Sequence, residues 1–199
     1  MTTEELIDKA FEMGLQQIRG EILALTDFVA ALRPKHVMEI GSARGGSFYL
    51  WSMLAAADGK KISVDLPGGV YGGEENADAA TRARRDELML SWAPGVHLIA
   101  GDSHTQEIHD QVQAILGEDK VDFLFIDGDH TYEGVRADYL MYRDFVCSSG
   151  YIAFHDINDS EFHRANRVGV GRLWQELEGS KLEFNEHQDW AGIGVIQHL

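Results

Sequence analysis

Apolar residues in the first thirty positions recur at helical spacing: Leu6, Ile7, Ala10, Phe11, Leu15, Ile18, Ile22, Leu25, Phe28, Val29 and Leu32. Gly14 and Gly20 offer points of division, and Pro34 ends the pattern. The rhythm then changes. Short runs rich in Val, Ile and Phe predict strands at His36–Glu39, Lys61–Asp65, His97–Ala100, Val121–Ile126 and Gly150–His155. Helical patterns lie between them, near 47–57, 76–91, 105–116 and 132–146. Such alternation builds βαβ units, so the fold class is α/β with a mostly parallel sheet. Beyond a helix near 169–178 come two further strand candidates, Lys181–Asn185 and Gly192–Gln197. A short loop joins these two, so they pair antiparallel, because a parallel pair needs a long crossover.

The 199 residues suit one core, and no Pro/Ser-rich linker interrupts them. We therefore expect a single domain over 1–199, with 1–33 as an N-terminal helical extension. That extension either caps a site or makes a homo-oligomer contact. No apolar run reaches the length of a membrane helix, about 18 residues. The polar, acidic start is unlike a signal peptide. The single cysteine, Cys147, excludes an internal disulfide, and its apolar flanks suggest a small buried side chain rather than a nucleophile. Together these features suggest a cytoplasmic protein. The formal net charge of −16 disfavours nucleic acid as a partner.

The acids matter by position. Each of the five parallel-strand candidates ends in a carboxylate or is followed by one within two residues: Glu39, Asp65, Asp102, Asp127 and Asp156. In open α/β sheets the ligand site lies outside the carboxyl ends of the strands. Like charges gathered there repel, so a cation, ribose hydroxyls or a cationic ligand should offset them.

The first strand runs into Glu39-Ile40-Gly41-Ser42-Ala43-Arg44-Gly45-Gly46-Ser47. Glycines let this turn approach a ligand closely, and Ser47 is placed to cap the next helix. The spacing is not the dinucleotide pattern G-x-G-x-x-G. Asp65, about twenty residues on, is placed to accept hydrogen bonds from ribose hydroxyls. Loop and acid together indicate an adenosine-containing cofactor. Leu66 opens a glycine-rich stretch, 66–77, expected to form a mobile loop over that cofactor.

The fourth strand runs into Asp127-Gly128-Asp129-His130, and the fifth ends Phe154-His155-Asp156. His130 suits a general base beside Asp127. The bland alternative has Asp129 or Thr131 capping the next helix and His130 solvated. Asp127, His155 and Asp156 together suggest a divalent metal site. Carboxylates favour Mg²⁺ or Ca²⁺, and an imidazole shifts preference toward Mn, Fe, Zn or similar ions. Side chains alternate along a strand, so His155 and Asp156 need not both be ligands. The stretch 157–167 is unpatterned; its His163, Arg164 and Arg167 either hold an acceptor or are solvated. Trp190 either lines an acceptor pocket or anchors the last hairpin.

At these residues the sequence resembles the class I S-adenosylmethionine-dependent methyltransferases. More narrowly, it resembles the branch that includes macrolide-sugar O-methyltransferases and cephalosporin hydroxylase-like proteins. The resemblance rests on Glu39-Ile40-Gly41 with Gly45, Asp65, Gly101-Asp102-Ser103, Asp127-Gly128-Asp129-His130 and Phe154-His155-Asp156-Ile157. It implies a Rossmann-like three-layer sandwich whose seven-stranded sheet has an antiparallel last strand. It implies S-adenosylmethionine with its methionine end around Gly41 to Gly45, its ribose on Asp65 and its adenine by Asp102 and Ser103. It further implies O-methylation of a small-molecule hydroxyl, with His130 as base. Relatives that use Mg²⁺ bind it through the acid matching Asp127 and an acidic pair after the fifth strand; here the first of that pair is His155. A non-haem metal oxygenase or hydrolase on the same residues, a nicotinamide enzyme and a non-catalytic binding module are the competing readings.

Overall fold

The computed structural model describes residues 1–66 and 79–199. Helix α1 (Thr3–Glu12) begins at a capping box in which Thr2 and Glu5 exchange hydrogen bonds. Its partner α2 (Arg19–Leu32) ends where Arg33 turns left-handed. The division falls at Gly14, with φ +92°; Gly20 lies inside α2.

Strand β1 (Val37–Ile40), β2 (Lys61–Asp65), β3 (Val96–Ala100), β4 (Val121–Ile126) and β5 (Val146–His155) run parallel. Helices α3 (Gly46–Leu54), α4 (Ala79–Trp92), α5 (Gln106–Leu116) and α6 (Tyr132–Tyr142) connect them. A 3₁₀ turn at Arg143–Phe145 occupies the end of the stretch expected to be helical. After β5 come α7 (Glu161–Ala165), α8 (Val170–Glu176), β6 (Lys181–Phe184) and β7 (Ile193–Gln197). The sheet order is β3-β2-β1-β4-β5-β7-β6, and β7 alone runs against the others, antiparallel to both β5 and β6. This is the seven-stranded sheet with a reversed last strand that the resemblance implied.

Side chains alternate across the sheet and feed two cores. From β4, Phe123 and Phe125 pack with α1, α2 and Trp51 of α3 on one face. Leu124 and Ile126 pack with Val112 of α5, Val135 of α6 and Trp174 of α8 on the other. The result is three layers. Within the described residues no helix is long and apolar enough to cross a membrane.

Two expectations change. Strand β5 starts at Val146 rather than Gly150, with a register shift against β4. Cys147 is therefore only partly buried, 3.8 Å from Asp122 Oδ1. The stretch 157–167 is not wholly irregular: Ser160 accepts from the His163 amide and caps α7. One turn is too short to show periodicity in sequence. The glycine-rich segment expected as a loop lies, apart from Leu66, outside the described residues.

Candidate active site

A cavity of about 730 Å³ opens at the carboxyl ends of β1, β2, β4 and β5. Ile40, Gly41, Ser42, Ala43 and Ser47 line it from β1 and the start of α3. Gly41 has φ +88°, and a Cβ there would lie 2.2 Å from the Asp127 carbonyl oxygen. Glycine is thus demanded both by the backbone angle and by the crossing of two strand ends. Gly45, φ +92°, holds the cap position of α3 and does not line the cavity. Ser47 is not the cap. It sits inside α3, and its hydroxyl donates to Glu39 Oε1 at 2.5 Å.

Glu39 is fully buried and stands behind Ser47, not on the cavity wall. Glu39 was expected at the cofactor; the structure buries it within β1, off the cavity lining, one hydrogen bond behind Ser47. Burial pushes its carboxyl well above the usual range, against the Ser47 hydrogen bond and with the nearby Asp127 and Asp65 charges adding to the rise.

Asp65 and Leu66 line the next wall. Asp65 Oδ1 accepts from the Ala43 amide at 3.1 Å, and Oδ2 pairs with Arg85 Nη1 at 2.7 Å. Arg85 also donates to the Ala43 carbonyl, so α4 clamps both the loop and the acid. Asp102 and Ser103 line the far end beside His104. His104 Nε2 lies 3.3 Å from the buried Asp138 carboxylate, which holds its pKa up at about 9.

The third wall carries the densest chemistry. Thr131 caps α6, as the bland reading had it, yet His130 is not solvated. His130 Nδ1 lies 2.8 Å from Asp156 Oδ2, and its Nε2 lies 3.5 Å from Asp127 Oδ1. His155 Nδ1 is 3.2 Å from the same Asp127 oxygen and 3.4 Å from Asp156 Oδ1. Burial opposes charge on both imidazoles, but the carboxylates prevail: His155 rises to about 9 and His130 also rises. Burial would raise Asp156, but His130 and the other imidazoles hold it far below the usual carboxylate range. Asp156 has φ +64°, so the chain turns sharply at the strand end and its carboxylate swings back toward His130.

The expected metal set of Asp127, His155 and Asp156 is thereby altered. Among the described residues, the donors that gather within 4.8 Å of one another are on Asp127, His130 and His155. Asp156 is engaged behind His130.

Several lining residues carried no sequence signal. The α1–α2 turn crosses the cavity mouth, and Gln17 Nε2 donates to Asp127 Oδ2 at 2.7 Å. A Cβ on Gly46 would come within 2.8 Å of the Leu15 backbone, so this cap sits directly on α3. The extension therefore closes the site, and the glycine break at Gly14 was the one hint of it. Trp190 lines the rim and meets Phe162 edge to face, 4.6 Å between ring centroids. Arg167 also lines the cavity, whereas Arg164 bonds Asp159 and His163 is buried against Ser160.

Comparisons agree with this architecture. The O-methyltransferase TomG from Streptomyces achromogenes, involved in tomaymycin synthesis and solved with S-adenosylmethionine, shares the fold. The TM-score is 0.64 at 13% identity, covering 96% of this chain and 88% of that one. The O-methyltransferase from Bacillus cereus in complex with S-adenosylhomocysteine gives 0.59 at 17%, covering 98% and 90%. Among curated proteins, the uncharacterized protein y4gI of Sinorhizobium fredii is 24% identical over 173 residues, which is 84% of this chain. The uncharacterized protein R132 of Acanthamoeba polyphaga mimivirus is 34% identical over 61 residues, 31% of this chain. The matches span 18% and 28% of those two relatives' own lengths. Residues 38–157, more than half of the sequence, match the family described as a methyltransferase domain, and the chain belongs to that family.

Proposed function

We propose that the chain transfers a methyl group from S-adenosylmethionine to a hydroxyl of a small molecule. The observation that carries this is convergence: one cavity is lined by the glycine turn, by Asp65 and by the Asp127–His130 pair. The residues present fit the cofactor. Gly41 and Asp65 line the same cavity, so a backbone without a side chain and a carboxylate suited to ribose hydroxyls face one space. Gly41, Ser42, Ala43 and Ser47 would hold the methionine end, Asp65 and Leu66 the ribose, and Asp102 and Ser103 the adenine. A sulfonium suits this acidic rim better than a pyrophosphate does.

The cofactor supplies an electrophilic methyl carbon. The chain's own residues align and activate the acceptor. With the cofactor bound, that carbon would pass to the acceptor oxygen and S-adenosylhomocysteine would be the leaving group; His130 Nε2 would take the hydroxyl proton. Asp156, bonded to Nδ1, orients the ring and stabilises its charged form. The α1–α2 turn, with Gln17 on Asp127, excludes water from one side. Trp190, Phe162 and Arg167 face the acceptor end.

A divalent ion belongs to the same proposal. His155 is buried; its Nδ1 makes only long contacts to the Asp127 and Asp156 carboxylates, and its Nε2 has no hydrogen-bond partner among the described residues, so the cluster fits a cation. Asp127, His130 and His155 would hold it; such an ion would lower the pKa of a bound hydroxyl and would then activate the acceptor in place of His130, because a nitrogen bound to the ion cannot also take the proton. Two imidazoles and one carboxylate are also the donor set of non-haem iron oxygenases; that second reading requires turnover without any methyl donor.

Titration calorimetry with S-adenosylhomocysteine tests the leading reading. Saturable binding is expected, weakened about tenfold or more by Asp65→Ala through loss of its hydrogen bonds. Absence of binding to the wild-type protein would sink it.

A further inference from the structure

We infer that Asp127, His130 and His155 form a site for a first-row transition ion such as Mn²⁺, Fe²⁺, Co²⁺ or Zn²⁺, in preference to Mg²⁺. In this site Asp156 orients His130 without itself binding the ion. What the ion acts on rests on the methyltransferase reading; that it binds does not.

The spacing comes first. His130 Nε2 and His155 Nδ1 lie 3.5 Å and 3.2 Å from one oxygen of Asp127. Ligand atoms at about 2.1 Å from a common ion stand about 3 to 3.5 Å apart around it. Two of the three separations are thus at ligand spacing, and all three donors lie within 4.8 Å of one another.

The second argument is unmet polarity. His155 is 7% exposed; its Nδ1 has only the long contacts to Asp127 and Asp156, at 3.2 and 3.4 Å, and its Nε2 has no hydrogen-bond partner among the described residues. Buried polar groups are nearly always satisfied, and leaving one unmade costs about 1–3 kcal/mol. An ion at Nδ1 would replace these long contacts with a bond.

The third argument is what stands behind the ligands. Asp156 Oδ2 accepts from His130 Nδ1 at 2.8 Å, which directs the Nε2 lone pair toward Asp127. A carboxylate behind a ligating histidine is the usual way a metal site sets the tautomer and the ring angle. Gln17 occupies Asp127 Oδ2, leaving Oδ1 for the ion. His163, nearly fully buried, lies 3.6 Å from Asp156 Oδ1 and limits its swing toward the centre.

Selectivity follows from the donors. Mg²⁺ demands oxygen ligands and keeps its waters, whereas imidazole suits borderline ions. His155 is the residue that decides this, since a carboxylate there would present an all-oxygen edge with Asp127. An ion also takes the lone pair that would otherwise accept the acceptor's proton. The ligand and base roles of His130 are therefore alternatives, and binding experiments separate them.

The test uses untagged protein stripped with a chelator and titrated with cobalt(II), manganese(II), zinc(II) and magnesium(II). Calorimetry and the visible spectrum of cobalt are read. One equivalent of cobalt is expected, with nitrogen-ligated visible bands and magnesium at least about 100-fold weaker. Asp156→Asn should weaken cobalt about 10- to 100-fold. His155→Asp should shift the cobalt-to-magnesium preference at least about tenfold toward magnesium. Circular dichroism confirms that each variant is folded. No cobalt binding, magnesium binding as tight as cobalt, or cobalt bands unchanged in His155→Asp would each overturn the assignment. S-adenosylhomocysteine is titrated into the same samples. Its binding without any ion sinks the metal site alone, and ion binding without it sinks the methyltransferase reading alone.

Discussion

The two ends of the sheet each bury a titratable side chain, and they treat it in opposite ways. At the amino ends, Lys61 of β2 is fully buried. Its ammonium donates to the carbonyls of Ala56, Pro94 and Gly59 at 2.7, 2.9 and 3.0 Å, and to Ala57 at 3.3 Å. At the carboxyl ends, His155 of β5 is nearly as buried, yet its Nδ1 has only long contacts to Asp127 and Asp156 and its Nε2 has no hydrogen-bond partner among the described residues. The first group ties loops together and has nothing left to offer a ligand. The second keeps its bonding capacity in reserve. Burial alone marks neither as functional; the difference lies in whether the polar atoms are already satisfied.

That contrast can be broken by crossing the readouts. The largest expected effect is on chemistry at the carboxyl ends. Asp127→Asn should lower methyl transfer about 10³-fold, measured as S-adenosylhomocysteine release across a panel of hydroxyl acceptors. Its unfolding free energy should stay within about 1 kcal/mol of the parent, because the site is not what stabilises the sheet. Next comes Lys61→Met, expected to lose about 3 kcal/mol in a denaturant titration, since it removes the ammonium that ties four loop carbonyls together, the buried one of Gly59 among them. Binding of S-adenosylhomocysteine by the folded fraction should be unchanged. If Lys61→Met spared stability, or if Asp127→Asn unfolded the protein, the distinction between the two ends would collapse.

The smallest effect sharpens an intermediate case. His104 is partly exposed, yet Asp138 beneath it is fully buried. Its folded pKa, about 9, exceeds the ordinary 6.5. The pair therefore contributes stability fully below pH 6.5 and loses it as pH rises through about 9. Thermal unfolding across that range should show a modest decline that His104→Gln flattens. Solvent at the half-open imidazole screens the pair and keeps the decline small.

Much of the fold was legible because it depends on local pattern. β2 and β4 fall where their apolar runs predicted, and the short final connection dictated an antiparallel hairpin. The acids at strand ends were legible for the same reason, since βαβ topology sends every parallel strand end to one rim. Other features were not. Ser47 sits in a capping pattern, but Glu39 beneath it takes its hydroxyl. Asp156 looked like a ligand from its place after β5, but a left-handed turn directs it to His130. Gln17 and Arg85 gave no signal because their partners, Asp127 and Asp65, lie 110 and 20 residues away.

By itself, then, the sequence determined the order of elements, the rim on which the carboxylates gather and the glycine turn beside them. These follow from side-chain periodicity and chain connectivity, which act over a few residues. Only the tertiary structure decided which donors share an oxygen of Asp127, which acid stands behind His130 and which helix turn closes the cavity. Those choices depend on distances across strands and layers, where differences of an ångström separate a ligand from its support.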